Sequence, residues 1–294
     1  MAETRAINFA DPINRGHPLN RGRVAWWLTL PGSVGGGTWR DITNNKNTGV
    51  LTSMGNSSNG FQPTNRPGGW GNVLFDGTAG YGALGSPSSL NLLGPMTVVA
   101  WVKTTSVGAG SKSIISDCNS AGAIIQWLFE INRTAGRFGL AWSNATGSAY
   151  ATPTDTGTTL VINTWYRLVA VRRGVAGSWG IDFYANGVLS STASDSTNPS
   201  AQQGAAIGRA GMFNGNYFPG SIDDATIWNR ALSPSEVLQD YNLSQRGYPG
   251  VLNRLHWPMN FAAAAAAGGM RFPVGQEGSG NMRFPVVQEG GYTA

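Results

Sequence analysis

Carboxylates, imidazoles, thiols and aromatic rings set what chemistry a chain can do, and here the reactive ones are sparse. The 294 residues hold five glutamates, Glu3, Glu130, Glu236, Glu277 and Glu289. Glycoside hydrolysis needs two carboxylates facing one scissile bond. Only Glu130 falls in a stretch that reads as a sheet strand, and no acid stands two residues from it. Asp223 and Asp224 are adjacent, so in an extended strand they point to opposite faces; Asp182 stands alone. The two histidines, His17 and His256, sit beside a proline and a tryptophan with no Ser or Cys nucleophile near them in sequence. The His/Cys clustering of a zinc site is missing, and so is the G-x-x-x-x-G-K-[ST] phosphate loop. Cys118 is the single cysteine, which excludes an intrachain disulfide. Catalysis is therefore not expected, and binding remains. Trp70, Trp142, Tyr150 and Tyr217 lie near turn-rich stretches, where an aromatic face ringed by Asn, Asp and Arg can hold a sugar. Each also has the plainer reading of core or loop packing.

The elements that would position these groups are short strands. The chain carries 42 Gly and only 12% charged residues, and it lacks the Glu/Lys/Ala blocks of long polar helices. That composition reads as all-β with many turns. MTVVAWVKT (96–104) is a near-continuous apolar run, the mark of a central strand buried on both faces. WYRLVAVRR (165–173) and WGIDFYAN (179–186) form the clearest hairpin pair, and Asn186-Gly187 signals a tight turn into Val188–Ser190. RVAWWLTL (23–30), NVLFDG (72–77) with Tyr81–Leu84, and IIQWLFEIN (124–132) add further strands. Twelve to fourteen such strands, spaced about ten residues apart, predict a two-sheet antiparallel sandwich or jelly roll. One helix closes the run: Ser233 as N-cap, Pro234 at the first helical position, and Glu236 three residues after the cap. Leu232 can staple onto Val237 or Leu238.

Two arms flank this domain. Residues 1–22 are polar and turn-rich, with INRG at 13–16 echoed by LNRG at 19–22. They are expected to be extended and to dock elsewhere. The domain proper is placed at 23–244. In 245–294 a six-alanine run precedes two copies of MRFPV, in GGMRFPVGQEG (268–278) and GNMRFPVVQEG (280–290). Two copies are too few for a self-supporting solenoid. They read as docking peptides whose anchors are Met270, Phe272, Pro273, Met282, Phe284 and Pro285. The formal charge of +5 comes from scattered basic residues, so nucleic acid is not an expected partner. The N-terminus lacks an apolar signal core, and no run is long enough to span a membrane. Synthesis in a cytoplasm without a signal peptide is the expectation.

Seven segments, in order, resemble the laminin-G-like members of the concanavalin A-like lectin/glucanase superfamily. They are RVAWWLTL, WRDITNNKNTGVLT, VLFDGTAGY, MTVVAWVKT, WYRLVAVRR with IDFYANGV, IGR (207–209) and GSIDDATIWNRALSPSEV. They cover about 23–243 and leave both arms outside. The resemblance implies a double-sheet jelly roll whose members bind sugars, proteins or other subunits. Many members hold calcium near the F-D-G hairpin and the I-D-D strand. That carries Asp76 and Asp223 or Asp224 over as calcium ligands, calcium being the one cofactor implied. The chain departs from the pattern at Ala79-Gly80-Tyr81, where two carboxylates are missing. The alternative is that Asp76 caps its Asp-Gly turn and Asp223 or Asp224 bonds backbone at a strand edge.

The function expected from all this is a structural, assembly-type protein built on a lectin-like sandwich. A virion component, such as a phage capsid decoration or head-fibre protein, fits best. It would dock on other protein chains through both arms and expose the sandwich to surface glycans. A carbohydrate-binding adhesin module is the alternative, and a glycoside hydrolase a third and weaker one.

Overall fold

A computed structural model describes residues 13–252 apart from 31–32, 55–59, 63, 65, 67, 109, 132–133 and 250. The described residues form an all-β sandwich with one α-helix. Its strands are β1 (Arg23–Trp27), β2 (Val34–Gly35), β3 (Thr38–Trp39), β4 (Gly49–Thr52), β5 (Phe61–Gln62), β6 (Asn72–Asp76), β7 (Tyr81–Gly85), β8 (Met96–Thr104) and β9 (Lys112–Cys118). They continue with β10 (Ile125–Ile131), β11 (Phe138–Ser143), β12 (Tyr150–Ala151), β13 (Tyr166–Val175), β14 (Ser178–Ala185), β15 (Val188–Asp195), β16 (Ala205–Ile207) and β17 (Pro219–Trp228). The helix α1 is Pro234–Ser244. The strand count exceeds the sequence expectation because β2, β3, β5 and β12 are two-residue pairings inside what read as loops.

One sheet has eight strands in the order β15-β14-β13-β8-β17-β6-β5, with β1 added on β17; the other has nine, β12-β11-β10-β9-β16-β7-β4-β3-β2. The ladders within both sheets are antiparallel. The apolar run of β8 earns its central place between β13 and β17. Val98, Ala100 and Val102 enter the core between the sheets, while Val99 faces outward. The outward face is covered as well, because α1 lies on it. Leu232 and Val237 pack together there with Val99, Val169, Val171 and Trp228, so the staple closes on Val237, and Leu238 stays exposed. Ser233 and Glu236 form the full capping box, with Arg230 forked onto the Glu236 carboxylate at 2.9 and 2.8 Å.

The buried indoles need partners for their N–H groups, and long-range carbonyls supply several. Trp27 donates to Asn47 O at 2.7 Å, Trp127 to Leu90 O at 3.2 Å and Trp228 to Leu19 O at 2.7 Å.

That last bond corrects, for residues 13–22, the expectation of an extended arm that docks elsewhere. Residues 13–22 are not extended: they hold a short 3-10 turn at Pro18–Asn20 and bury Leu19 completely. Residues 245–252 return to meet them. Asn14 N donates to Val251 O at 2.9 Å, and Ile13, Trp26, Leu28, Leu30, Tyr248 and Val251 make a small second core. The folded unit thus extends beyond 23–244 at both ends. Residues 1–12 and 253–294, with both MRFPV copies and the anchors Met270 to Pro285, lie outside the described residues. Among the described residues, no helix is long and apolar enough to cross a membrane.

Candidate functional site

β6 lies in the eight-stranded sheet and β7 in the nine-stranded one, so these two strands are not a hairpin, and the turn between them sets one rim of the sandwich. Its Asp76 Oδ1 accepts from the backbone N–H groups of Thr78, Ala79 and Gly80, each at 2.9 Å. Burial alone would raise this carboxyl, but the three N–H groups outweigh it and hold the pKa near 2. Gly77 takes the left-handed turn conformation, φ +76°, against Pro219. The turn, with the pairing of β7 on β16, thereby brings the start of β7 beside the loop 208–218 that leads into β17.

Three side chains meet there. The Arg209 guanidinium lies 3.5 Å from the centre of the Tyr81 ring. Tyr217 tilts at 56° to Tyr81, with centroids 6.5 Å apart, and its hydroxyl donates to Asn214 Oδ1. The loop is closed at its neck: Gly208 N donates to Ile114 O at 2.8 Å, and Phe218 N to Gly208 O at 2.9 Å. Asn216 O is fixed by Ser113 N at 2.8 Å. The result is a patch of two half-buried phenol rings, a half-buried guanidinium and an exposed carboxamide, built by the start of β7 and a pinned loop. Apolar ring area beside fork-shaped donors is the chemistry that receives a sugar's C–H face and its hydroxyls.

The four aromatic candidates do not converge. Tyr217 is in the rim cluster. Tyr150 is 47% exposed on the edge strand β12, its hydroxyl donating to Ala123 O at 2.7 Å. Trp70 is 52% exposed just before β6, near Gly247 beyond α1. The expectation for Trp142 is overturned: the side chain is wholly buried, it donates to Thr197 O at 2.7 Å, and its ring lies 5.3 Å from the Arg172 guanidinium. It faces into the sandwich because it continues the inward set Phe138 and Leu140 of β11.

The calcium expectation also fails at Asp223 and Asp224. A register shift in β17 falls between Asp223 and Thr226, and Asp224 has φ +53°. Both acids are therefore fully buried. Asp223 Oδ2 receives Arg66 Nε at 2.9 Å and Nη2 at 2.5 Å, and its Oδ1 receives Thr29 N at 3.2 Å. Asp224 receives the Trp26 indole and the Tyr248 hydroxyl, each at 2.7 Å, and pairs with Arg167 Nη1 at 2.9 Å. Arg167 also forks onto Asp240 Oδ2 at 3.1 and 2.7 Å. Burial raises the Asp223 carboxyl despite Arg66. Burial opposes the Arg167 charge, yet Asp224 and Asp240 hold its pKa above the ordinary arginine range. These carboxylate oxygens are occupied by guanidinium groups rather than presented to a cation. Among the described residues no group of three or more His, Cys, Asp or Glu is gathered. Arg66, Arg167, Asp240 and Tyr248 went unread in the sequence; the only signal was an arginine at an outward position of an otherwise apolar strand.

Glu130 is buried and accepts from Ser111 Oγ. Its partners across the sheet are Ser113 and Gly139, neither an acid.

Three comparisons bear on this chain. A laminin-G-type family model, described as the concanavalin A-like lectin/glucanases superfamily, matches residues 76–238, more than half of the chain. Among solved structures, the binding domain of Paraclostridial Mosquitocidal Protein 1 is similar at 15% identity and TM-score 0.56, over 76% of this chain and 52% of that one. The receptor binding domain of botulinum neurotoxin C/D mosaic serotype is similar at 12% identity and TM-score 0.55, over 76% and 51%. The botulinum neurotoxin serotype G binding domain gives 12%, 0.55, 75% and 51%. This chain spans about half the length of those proteins, and at such identity the shared feature is the fold. No curated protein sequence matches.

Proposed function

The chain belongs to the concanavalin A-like lectin/glucanases superfamily, and from that premise we propose that it is a non-catalytic binding module that holds a glycan at the rim formed by Tyr81, Arg209, Asn214 and Tyr217. The observation that carries the reading is the Arg209–Tyr81–Tyr217 cluster on a loop pinned at its neck. Binding in the toxin domains is a fold-level analogy only. Glu130, the one strand glutamate among the described residues, has Ser113 and Gly139 beside it, which favours binding over hydrolysis.

The test is a glycan array followed by calorimetry. Tyr217→Ala and Arg209→Ala are each expected to weaken the selected glycan about tenfold, roughly 1.4 kcal/mol, with little change in unfolding temperature. An array with no hits, or two variants that bind like the parent, would sink this reading.

A second reading concerns assembly, and the twice-written MRFPV favours it. In it the sandwich is carried on a virion surface by residues 253–294. A chain ending at Leu252 is expected to keep its unfolding transition and glycan affinity but to stop co-sedimenting with particles. Unchanged co-sedimentation removes this reading and leaves the first intact.

A further inference from the structure

Among the described residues four arginines are buried, and they differ in one respect. Arg66 and Arg167 meet carboxylates, and Arg172 donates to the carbonyls of Leu92 and Gly94 at 2.6 to 3.2 Å. Arg23 meets no acceptor: its Nε, Nη1 and Nη2 are all buried and all without a hydrogen-bond partner. The side chain is only 8% exposed. Its guanidinium is held between two indoles, 3.8 Å from the Trp26 ring and 4.7 Å from that of Trp228. A guanidinium carries five N–H donors, and buried donors are almost always satisfied.

Arg23 lines a cleft of about 320 Å³ between residues 13–23 and the 43–45 turn. That is at the small end of ligand-pocket sizes. Arg15 lines the same cleft. Asn20 lines it too, its Oδ1 buried and without a donor while its Nδ2 is tied to Asn14 O and Val251 O. The carboxylates whose charges act on Arg23, Asp240 and Asp224, are engaged elsewhere: both pair with Arg167, and Asp224 also accepts from Trp26 and Tyr248. Burial pushes the Arg23 pKa down to about 10, which leaves the group charged at neutral pH.

We propose that this cleft is a binding site for a small hydroxylated carboxylate, such as a sugar acid, with Arg23 as the fork for its carboxylate and Asn20 Oδ1 as acceptor for a hydroxyl. With indoles over the guanidinium and its nitrogens closed to solvent, the N–H edge is what is left to a ligand, and reaching it takes a small opening of the cleft. A planar carboxylate matches that edge with two parallel hydrogen bonds. The cleft is independent of the rim. Arg23 is in register with Trp228, which faces Thr97 near the start of β8. The rim instead adjoins Pro219, at the end of β17 that pairs with Thr104, the last residue of β8.

The experiment uses the full chain in a buffer free of carboxylates and phosphate, titrated with sodium glucuronate, acetate, glucose and sulfate. Glucuronate is expected to raise the unfolding temperature saturably and to move the indole N–H resonances of Trp26 and Trp228. Acetate should do so more weakly, and glucose not at all. Arg23→Gln is expected to weaken glucuronate about tenfold or more. Should that variant not fold, Arg23→Lys keeps the charge without the fork and is expected to lose affinity as well. The proposal is overturned if the indole resonances do not move, if glucose moves them equally, if sulfate displaces glucuronate at equal concentration, or if a folded Arg23 variant binds like the parent. Rim variants such as Arg209→Ala should leave glucuronate binding unchanged, so failure here and failure of the rim reading are told apart.

Discussion

Arg167→Leu is expected to destabilise the sandwich by about 3–5 kcal/mol, read as a fall in urea midpoint at unchanged slope. Arg167 is buried and bonds to both Asp224 and Asp240, to the Tyr248 hydroxyl at 2.8 Å, and to Asp224 O at 2.8 Å. Leucine fills part of the volume but strands two carboxylates where water cannot reach them. Losing one partner of a buried pair costs more than the pair contributes. For a domain of ordinary stability, about 5–15 kcal/mol, this is a third or more of the total. One further result is expected. Adding Asp240→Asn should recover part of the loss, because one stranded charge is gone. A midpoint shift worth less than about 0.5 kcal/mol would mean that the network is not structural.

The parts of the fold that local pattern encodes were legible. The β8 run announced a strand buried on both faces, and both faces are covered, one by the other sheet and one by α1. Asn186 and Gly187 carry φ +51° and +80°, as the tight turn between β14 and β15 demands. Ser233 and Glu236 close the box that their spacing announced. What local pattern could not carry is the docking of residues 13–22. They have few apolar side chains and no periodicity. They are held by single points: Leu19 in the core, its carbonyl on the Trp228 indole 209 positions away, and Asn20 on Val251. An arm read by composition looks free when its anchors are backbone groups meeting indoles.

The site was less legible for the same reason. The acids at 223 and 224 fit a metal motif by position, but their partners Arg66 and Arg167 lie 157 and 57 positions off. A bulge with positive φ at Asp224 was also needed to bury both. Trp142 was placed by its nearness to a turn, yet strand alternation with Phe138 and Leu140 sends it inward. Tyr217 was a candidate because it sits in a glycine- and asparagine-rich loop, and it lies beside Tyr81. Tyr81 and Arg209 were not, because each is ordinary in sequence and they meet only when β7 and β16 pair.

That pairing is what makes Gly208→Ala the sharpest probe of how the fold holds the rim. Gly208 follows β16 at φ +77°, and an added Cβ would sit 2.4 Å from Cδ1 of the buried Phe75 ring. The left-handed backbone costs alanine about 1–2 kcal/mol, and shifting a packed core ring adds about 1–3 kcal/mol. The expected destabilisation is therefore roughly 2–5 kcal/mol, read from urea midpoints. Gly208 is also the neck of the rim loop, donating to Ile114 and accepting from Phe218. Relieving the clash by moving the backbone would carry Arg209, the next residue, off the Tyr81 ring. Gly208→Ala should thus lose stability and glycan affinity together, whereas Arg209→Ala loses affinity alone. If Gly208→Ala lost stability and kept full affinity, the loop would be organised by its own contacts, such as Ala210 N on Gly215 O, rather than by its neck. If it lost neither, Phe75 would have room to move and the neck would not constrain the rim.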